Sequence, residues 1–276
     1  MNVREKSFVK TVLTHHKHSG RKLPWRRTKD PYKILVSEIM LQQTQVERVV
    51  PKYKSFIKTF PSFAELARAP LKTVLAEWSG LGYNRRALQM KHAAEIVMRR
   101  YSGTLPRDEK TLRALPGVGP YTARALLTFI WNEPRVFIET NIRSVFITHF
   151  ANLHGLKHRS TRILDDEELL PLIEKTLDIK NPREWYAALM DYGAHLKKTL
   201  PNPSRKSAHH TRQSAFKGSK RQARGVLVKA LTEKSPQTLA MLARTARHTQ
   251  KETRHILATL IRDGLVTQKD DTYSIS

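Results

Sequence analysis

The sequence predicts an all-α protein whose 276 residues end in a small module that mixes helices with strands. Segments with a 3.6-residue apolar period, separated by short Gly or Pro breaks, fill most of residues 1–200. Few stretches in this part alternate between apolar and polar residues as strands do. Near the C-terminus, three helical patterns precede "LVTQ-KDD-TYSIS", which predicts two short strands around a turn at Asp270–Asp271.

The charge balance indicates a polyanionic partner. The chain carries 50 basic and 24 acidic residues, a formal net charge of +26. Such an excess favours nucleic acid or an anionic membrane surface. The sequence shows no long apolar span and no export signal, so we expect nucleic acid and no membrane.

Cysteine is absent from the chain. This excludes disulfides and any thiolate-bound zinc or iron–sulfur cluster, and it fits a reducing compartment. The twelve His residues show no ligand set, and no Gly-rich nucleotide loop is present. We therefore expect no metal, no organic cofactor and a cytoplasmic location.

The composition divides the chain into three parts. We predict a helical core over 1–200, a basic connector over 201–220 and a C-terminal module over 221–276. Between Tyr192 and Thr232 no acidic residue occurs, whereas ten Lys or Arg residues do. The centre of this stretch has little periodicity, so we interpret it as an extended connector against nucleic acid; the alternative is a solvated linker. The residues that we expect to contact phosphate are Arg205, Lys206, Arg212 and Lys217.

Three helices followed by a β-hairpin in the C-terminal module resemble a winged helix. The predicted helix with Lys251, Arg254 and His255 would then be the recognition helix. Winged helices also bind proteins, so both kinds of partner stay open for this module.

A short motif between two helical patterns, "LPGVGPYTARA", predicts an anion site built from backbone. Gly117 and Gly119 are free to take positive φ, and Pro120 suits the first turn of a helix. The free N–H groups around Gly117, Gly119 and Tyr121 would then point outward together and bind an anion, and we expect Gly117, Val118 and Gly119 to contact DNA. The motif resembles a helix-hairpin-helix, which holds DNA without recognising bases. An ordinary Pro-Gly turn is the alternative.

Two carboxylates stand in contrasting surroundings. Glu38 lies in "ILVSEIMLQQTQV", a helix that is apolar nearly all round, so it should be kept dry enough to hold a proton near neutral pH. The alternative is a helix-edge acid paired with a neighbouring base. Glu139 precedes a helix that we expect Thr140 or Asn141 to cap, and the positive helix end should keep Glu139 charged. Taken alone, Glu139 fits a capping acid better than a catalyst. Two such carboxyl groups are typical of glycosidic cleavage.

Together these segments resemble the helix-hairpin-helix (HhH-GPD) DNA glycosylases, and within them the adenine DNA glycosylase (MutY) branch. The matching segments occur in the family's order and are "LPWRRTKDPYKILVSEIMLQQTQV", "WSGLGYNRRALQMKHAA", "LPGVGPYTARA", "FIETNIRSVF" and "ALMDYGA". The resemblance covers roughly residues 7–196. It implies a six-helix lobe over 22–131 and a second lobe that joins 1–21 with 132–200.

The resemblance also implies roles for single residues in catalysis. Glu38 matches the general acid that protonates adenine, and Glu139 stands where the family has an aspartate that stabilises the sugar cation or attacks it. Asn141 matches the polar partner of that aspartate. Tyr121 matches a tyrosine of this branch, at the position where bifunctional relatives carry a Schiff-base lysine.

Other residues match positions that contact DNA or the extruded base. Gln43 and Thr44 match residues that probe the base opposite the extruded one, and Tyr83 matches the wedge that enters the base stack. Trp25 and Arg26 match the wall of the base pocket.

The resemblance implies a monofunctional glycosylase that binds double-stranded DNA with a mismatch or lesion. We expect a nucleoid-associated monomer that removes adenine opposite 8-oxoguanine or guanine; uracil or thymine opposite guanine is an alternative base. A non-catalytic DNA-binding protein on the same scaffold is the other alternative. The hairpin could hold a monovalent cation.

Three departures from the family leave the substrate open. Glu139 replaces the family's aspartate, and its carboxylate reaches one bond further. Lys197 stands where the first iron–sulfur ligand is expected. The winged-helix-like segment stands in place of the usual domain that helps to recognise 8-oxoguanine.

Overall fold

The computed structural model describes residues 1–150, 163–210 and 215–276. Within these ranges the chain is mainly helical and carries one small sheet near its C-terminus, as the periodicity predicted. The helices in chain order are α1 (Val3–Ser19), α2 (Pro31–Leu41), α3 (Val46–Thr59), α4 (Phe63–Arg68), α5 (Leu71–Trp78), α6 (Arg85–Tyr101), α7 (Glu109–Arg113), α8 (Pro120–Trp131), α9 (Thr140–Phe150), α10 (Asp166–Thr176), α11 (Pro182–Thr199), α12 (Lys220–Glu233), α13 (Leu239–Ala246) and α14 (Gln250–Arg262). The strands are β1 (Gln237–Thr238), β2 (Val266–Lys269) and β3 (Thr272–Ile275).

The chain forms two compact units, each made of two separate stretches. Unit 1 comprises Met1–Lys29 and Gly119–Arg212, and unit 2 comprises Asp30–Val118 and Gln213–Ser276. The C-terminal module therefore groups with the helices from α2 to α7. Of the helices that the structure describes, none is both long and apolar enough to span a membrane.

Aromatic rings form the centre of unit 1. Phe8 of α1 meets Phe146 of α9 and Trp185 of α11 edge-on, at centroid distances of 5.2 and 6.0 Å. Phe137, on the segment that leads into α9, stacks on Tyr186 of α11 at 3.8 Å. Edge-on and offset contacts are the favoured geometries of aromatic pairs. They fix the start of α9 against α11.

Helix α2 forms the centre of the first stretch of unit 2. Asp30 caps it by accepting a hydrogen bond from the backbone N–H of Tyr32 at 2.9 Å, and Pro31 occupies the first helical position. Every residue from Ile34 to Met40 is buried. A helix that is apolar nearly all round is expected to be buried, and α2 is.

The C-terminal module consists of α12, α13, α14 and a three-stranded antiparallel sheet in the order β1-β3-β2. The predicted hairpin is confirmed: β2 pairs with β3, and Asp270 takes a φ of 50° in the turn between them. Strand β1 was not predicted, because two residues are too few to show alternation. Helix α12 packs against α5 of the same unit.

The prediction of an extended connector over 201–220 is wrong for its first part. Residues Pro203–Lys206 form a 3-10 helix whose Ser204 is buried, and the side chain of Asn202 caps it. The backbone N–H of Leu164 donates to the carbonyl of Lys206 at 2.7 Å, and Ala208 donates to Leu164 at 2.9 Å. These contacts hold the segment within unit 1. Its order comes from a buried proline and from backbone hydrogen bonds, and neither of these requires a periodic pattern of side chains.

Candidate functional site

Glu38 is a buried carboxylate in the middle of α2. Only 6% of its surface is exposed, and its neighbours Ser37 and Ile39 are fully buried. The prediction that α2 encloses this acid is therefore confirmed. Its protonation near neutral pH stays a prediction.

Arg86 of α6 organises the loop that follows α2. Its guanidinium donates to the carbonyls of Ile39 and Met40, both at 2.9 Å, to the carbonyl of Gln42 and to the hydroxyl of Thr44 at 3.0 Å. Burial lowers the pKa of Arg86 to about 10, and both of its terminal nitrogens have acceptors, whereas its buried Nε has no hydrogen-bond partner among the described residues. Thr44 thus contributes to the architecture of the loop through its hydroxyl.

The same guanidinium reaches a second loop, Gly80–Asn84. It donates to the carbonyl of Gly82 at 3.1 Å and to that of Leu81 at 3.4 Å. Arg86 is not among the residues predicted from the sequence, although it falls on the apolar face of α6, with Met90 and Val97. A charged residue at such a position must find partners, and here the partners are the two loops.

Tyr83 has a left-handed backbone, with a φ of 49°. That conformation costs a non-glycine residue about 1–2 kcal/mol, and such strain concentrates at functional positions. The guanidinium carbons of Arg86 and Arg221 both lie 5.4 Å from the centre of its ring. The Nη1 atom of Arg221 donates to the Tyr83 hydroxyl at 2.7 Å.

An open cleft of about 510 Å³ lies beside Tyr83, wholly within unit 2. We call it the Tyr83 cleft. It brings Gln43 and Tyr83 together and adds residues of α6 and of the C-terminal module. The contact of Gln43 and Tyr83 with a base stack stays a prediction. Its lining residues are Gln42, Gln43, Gly82, Tyr83, Asn84, Arg85, Arg86, Gln89, Arg221, Arg224, Gly225 and Asp263.

Of the two glycines in the predicted hairpin, Gly117 has the expected positive φ and Gly119 does not. Gly117 has a φ of 82°, and its carbonyl accepts a hydrogen bond from the Gln42 amide at 3.2 Å. Gly119 does not have the positive φ that we expected: its φ is −87° and its ψ is −179°. Gly119 is the N-cap of α8, and an N-cap residue takes an extended backbone. A Cβ at this position would meet no atom within 4 Å, so the backbone is open to close approach.

Glu139 caps α9 itself, which corrects the expectation that Thr140 or Asn141 would. One carboxylate oxygen accepts from the backbone N–H of Ile142 at 3.0 Å, and the other accepts from the side-chain amide of Asn141 at 3.0 Å. Ile142 is the third residue of α9, whose N–H usually bonds to a shorter capping side chain, and here the longer glutamate folds back to accept it. Glu139 and Asn141 are thus joined, as the resemblance implied.

Two further side chains of unit 1 lie near this pair. Tyr121 contacts the ring of Phe137 edge-on at 5.6 Å, two residues before Glu139. Lys197 of α11 is half-buried; burial lowers its pKa, while the charge of Glu139 acts to raise it. Lys197 is therefore an electrostatic neighbour of Glu139. That Lys197 takes the place of the first iron–sulfur ligand stays a prediction.

Trp25 and Arg26 are held by the interior of unit 1. Trp25 is buried, and the Arg26 guanidinium forms two hydrogen bonds with Asp191, at 2.7 and 2.9 Å. Asp191 also accepts from Arg21 at 2.5 Å and contacts His16 at 2.9 Å. Arg26 is committed to this carboxylate, and its place in a base pocket stays a prediction.

The residues expected to contact phosphate are exposed where the structure describes them. Arg205, Lys206 and Lys217 are exposed, and Arg212 lies outside the described residues. Over 1–150, 163–210 and 215–276, no group of three or more His, Asp or Glu residues could hold a metal ion.

Similarity to known proteins supports the predicted resemblance. The sequence matches the family described as HhH-GPD superfamily base excision DNA repair protein over residues 36–180. The adenine DNA glycosylase of Mycolicibacterium smegmatis is 34% identical over 280 residues, which cover 94% of this chain and 92% of that protein. The adenine DNA glycosylase of Buchnera aphidicola subsp. Baizongia pistaciae is 38% identical over 188 residues, which cover 68% and 52%. The chain thus spans about half the length of the Buchnera relative.

A solved structure described as a thermostable thymine-DNA glycosylase is also similar. It superposes with a TM-score of 0.59 at 30% sequence identity, over 69% of this chain and 86% of that one. The family match includes Glu38, Tyr83, the hairpin and Glu139. On sequence and fold together, the chain belongs to the HhH-GPD superfamily of base excision DNA repair proteins.

Proposed function

We propose that this chain is a monofunctional DNA glycosylase that extrudes a mispaired or damaged base and hydrolyses its N-glycosidic bond. The observation that carries the proposal is Glu38, an acid enclosed in the most apolar part of unit 2. Enclosure of a carboxyl group is costly and is typical of a general acid. We propose adenine as the base that is removed, because relatives named adenine DNA glycosylase match the chain. The family resemblance adds 8-oxoguanine or guanine as the proposed opposite base.

In this proposal the carboxyl groups take different roles. Glu38 gives its proton to N7 of the purine, so that the base leaves neutral. Glu139, fixed by Ile142 and Asn141, opposes the positive charge that develops on the sugar. Tyr121 stands where a Schiff-base lysine would stand in bifunctional relatives, so we expect little strand cleavage.

DNA would be held by backbone and basic side chains. The extended, open backbone at Gly119 suits a phosphate, and the extruded base requires a wedge, for which we propose Tyr83. The C-terminal module would act as a winged helix whose recognition helix is α14, on which Lys251, Arg254 and His255 are exposed.

The decisive experiment is the Glu38→Gln variant on a duplex with adenine opposite 8-oxoguanine. We expect duplex binding to persist and single-turnover excision to slow by at least ~10²-fold, the scale of a lost general acid. Glu47→Gln makes the same chemical change at an exposed position of α3 and should leave the rate unchanged. Adenine release by Glu38→Gln at the wild-type rate would reject this role for Glu38.

A second candidate substrate is thymine or uracil opposite guanine. It is favoured by the likeness to a structure described as a thymine-DNA glycosylase. A panel of duplexes, each with one lesion or mismatch, separates the candidates in a single assay. Release of a pyrimidine and no adenine would select this substrate. Tight binding with no release from any duplex would indicate a non-catalytic DNA-binding protein.

A further inference from the structure

Arg221, near the start of α12 in the C-terminal module, contacts Tyr83. Its Nη1 atom donates to the Tyr83 hydroxyl at 2.7 Å, and its guanidinium carbon lies 5.4 Å from the ring centre. The same guanidinium lies 5.5 Å from the ring of Phe216. Arg221 thus combines a charge-assisted hydrogen bond with cation–π contacts to two rings.

Helix α12 is fixed, so the position of Arg221 is fixed with it. Leu227 and Leu231 on the same helix are fully buried, and α12 packs against α5. One turn after Arg221, Arg224 donates to the carboxylate of Asp263 at 2.5 Å. Asp263 also lies 3.9 Å from the guanidinium of Arg85, two residues after Tyr83. Asp263 therefore links α12 within the module and also reaches the start of α6, directly after the Tyr83 loop.

The side chain of Tyr83 depends on these contacts for its position, because the loop that carries it is strained and leaves it partly exposed. The loop carries positive φ values at Gly80, Gly82 and Tyr83, and Tyr83 is only half-buried. Arg86 covers the ring from the core of unit 2, and Arg221 covers it from the module. The Tyr83 cleft remains open beside this arrangement, with room for a base next to the ring.

From these contacts we infer that Arg221 is a positioning residue for the wedge. It holds the Tyr83 side chain ready before DNA binds, so that the C-terminal module takes part in unstacking the target base as well as in binding DNA. This inference rests on the proposed function, in which Tyr83 enters the base stack. A side chain ordered in advance loses less freedom on binding, which favours the unstacked complex.

The test is a binding experiment that needs no base excision. A duplex carries 2-aminopurine next to an adenine–8-oxoguanine mismatch, and its fluorescence rises when saturating protein unstacks it. We expect Arg221→Ala to lower the equilibrium for unstacking by about tenfold, the scale of one lost charge-assisted hydrogen bond. Tyr83→Phe, which removes only the hydroxyl, should produce a loss of the same order. Lys229→Ala removes a positive charge from an exposed position of the same helix and should change nothing.

A double-mutant cycle separates positioning from a direct contact with DNA. If Arg221 acts through the Tyr83 hydroxyl, Arg221→Ala combined with Tyr83→Phe is no worse than either change alone. The salt dependence of binding should also stay the same, whereas loss of a phosphate contact would flatten the log–log slope by about 0.9. Arg221→Lys should restore only part of the signal, since an ammonium group lacks the planar fork.

Other outcomes would overturn the inference. Full unstacking by a folded Arg221→Ala variant, or additive losses in the double variant, would show that Arg221 does not act through Tyr83. Increased unstacking would mean that Arg221 restrains the wedge, and no unstacking by the wild type would remove the wedge role itself. Unstacking by the wild type without base release would instead reject the proposed function and leave the role of Arg221 intact.

Discussion

Gly193 and Asn141 touch through their backbones. A Cβ atom at position 193 would lie 2.2 Å from the carbonyl oxygen of Asn141 and 2.6 Å from its carbonyl carbon. Helix α11 therefore lies against the first turn of α9 at Asn141, the residue whose side-chain amide donates to Glu139. The glycine of "ALMDYGA" is needed for this approach, and not for any unusual φ.

We predict that Gly193→Ala destabilises the protein by about 1–3 kcal/mol, since backbone atoms cannot yield to the added methyl group. Excision should slow as well, because the change displaces Asn141. Gly225→Ala is the matched control: it lies within α12, and a Cβ there would meet no atom within 4 Å. That change should stabilise the protein by about 0.5–1 kcal/mol. Urea unfolding measures both, and equal signs would contradict the packing argument.

The length of the Glu139 side chain matters to its contacts. Both of its carboxylate oxygens are engaged, one by the backbone of Ile142 and one by Asn141. Glu139→Asp shortens the side chain and cannot keep both contacts at their present positions, so we predict slower excision by about tenfold, the effect of one lost charge-assisted hydrogen bond. Single-turnover kinetics at saturating protein measure it. A faster variant would mean that glutamate is a compromised replacement for the family's aspartate.

Asp191 should make stability depend on acid pH. Burial acts to raise its pKa, but hydrogen bonds and charges from Arg26 and Arg21 outweigh burial and hold the pKa below its usual range. A carboxyl group with a depressed folded-state pKa contributes stability above its unfolded pKa of about 3.9 and loses that contribution as the pH falls through the folded value.

The Asp191→Asn variant tests this linkage. Because the side chain is only 1% exposed, breaking the cluster should cost about 3 kcal/mol at pH 7. The difference from wild type should be constant above about pH 5 and shrink below about pH 4. Unfolding free energies across that range measure it, with Asp271→Asn, at an exposed turn, as the control. A difference that does not vary with pH would show that the cluster does not depend on the charge of Asp191.

The basic connector should control how strongly DNA binding depends on salt. Replacing Arg205, Lys206, Arg212 and Lys217 with Ala should flatten the log–log salt slope by ~2–4, because each lost phosphate contact removes about 0.9. Matched and mismatched duplexes should lose affinity alike. A second quadruple variant removes the same charge from exposed positions of α3 to α5: Lys54, Lys58, Arg68 and Lys72. Equal flattening by both variants would mean that the connector has no special part in binding.

The sequence predicts those features that depend on neighbouring residues. The burial of Glu38 follows from the apolar character of α2, and the positive φ of Gly117 follows from a Pro-Gly turn between helices. The prediction of a positive φ at Gly119 was wrong for a local reason as well. Gly119 is the N-cap of α8, and an N-cap takes an extended backbone. The sequence allowed Glu139 to be a capping acid, but it does not reveal that the Glu139 side chain, rather than Thr140 or Asn141, caps α9.

Contacts between distant residues could not be predicted. Arg26 and Asp191 are 165 residues apart, and Tyr83 and Arg221 are 138 apart. Nothing in the local sequence indicates which distant partner either arginine would contact in a chain of charge +26. Arg86 is different, since its position on the apolar face of α6 would have marked it as a buried cation in search of carbonyl partners.

The two units are interleaved along the chain, and this has a consequence for folding during synthesis. Residues 1–29 belong with 119–212, and residues 30–118 belong with 213–276. Helix α1 therefore leaves the ribosome long before α11, the helix on which Phe8 packs. Contacts so distant in sequence form slowly, and their apolar surfaces stay uncovered meanwhile. We expect the nascent chain to depend on chaperones until its last helices emerge, and a chain stalled before α11 to aggregate rather than to leave one finished half.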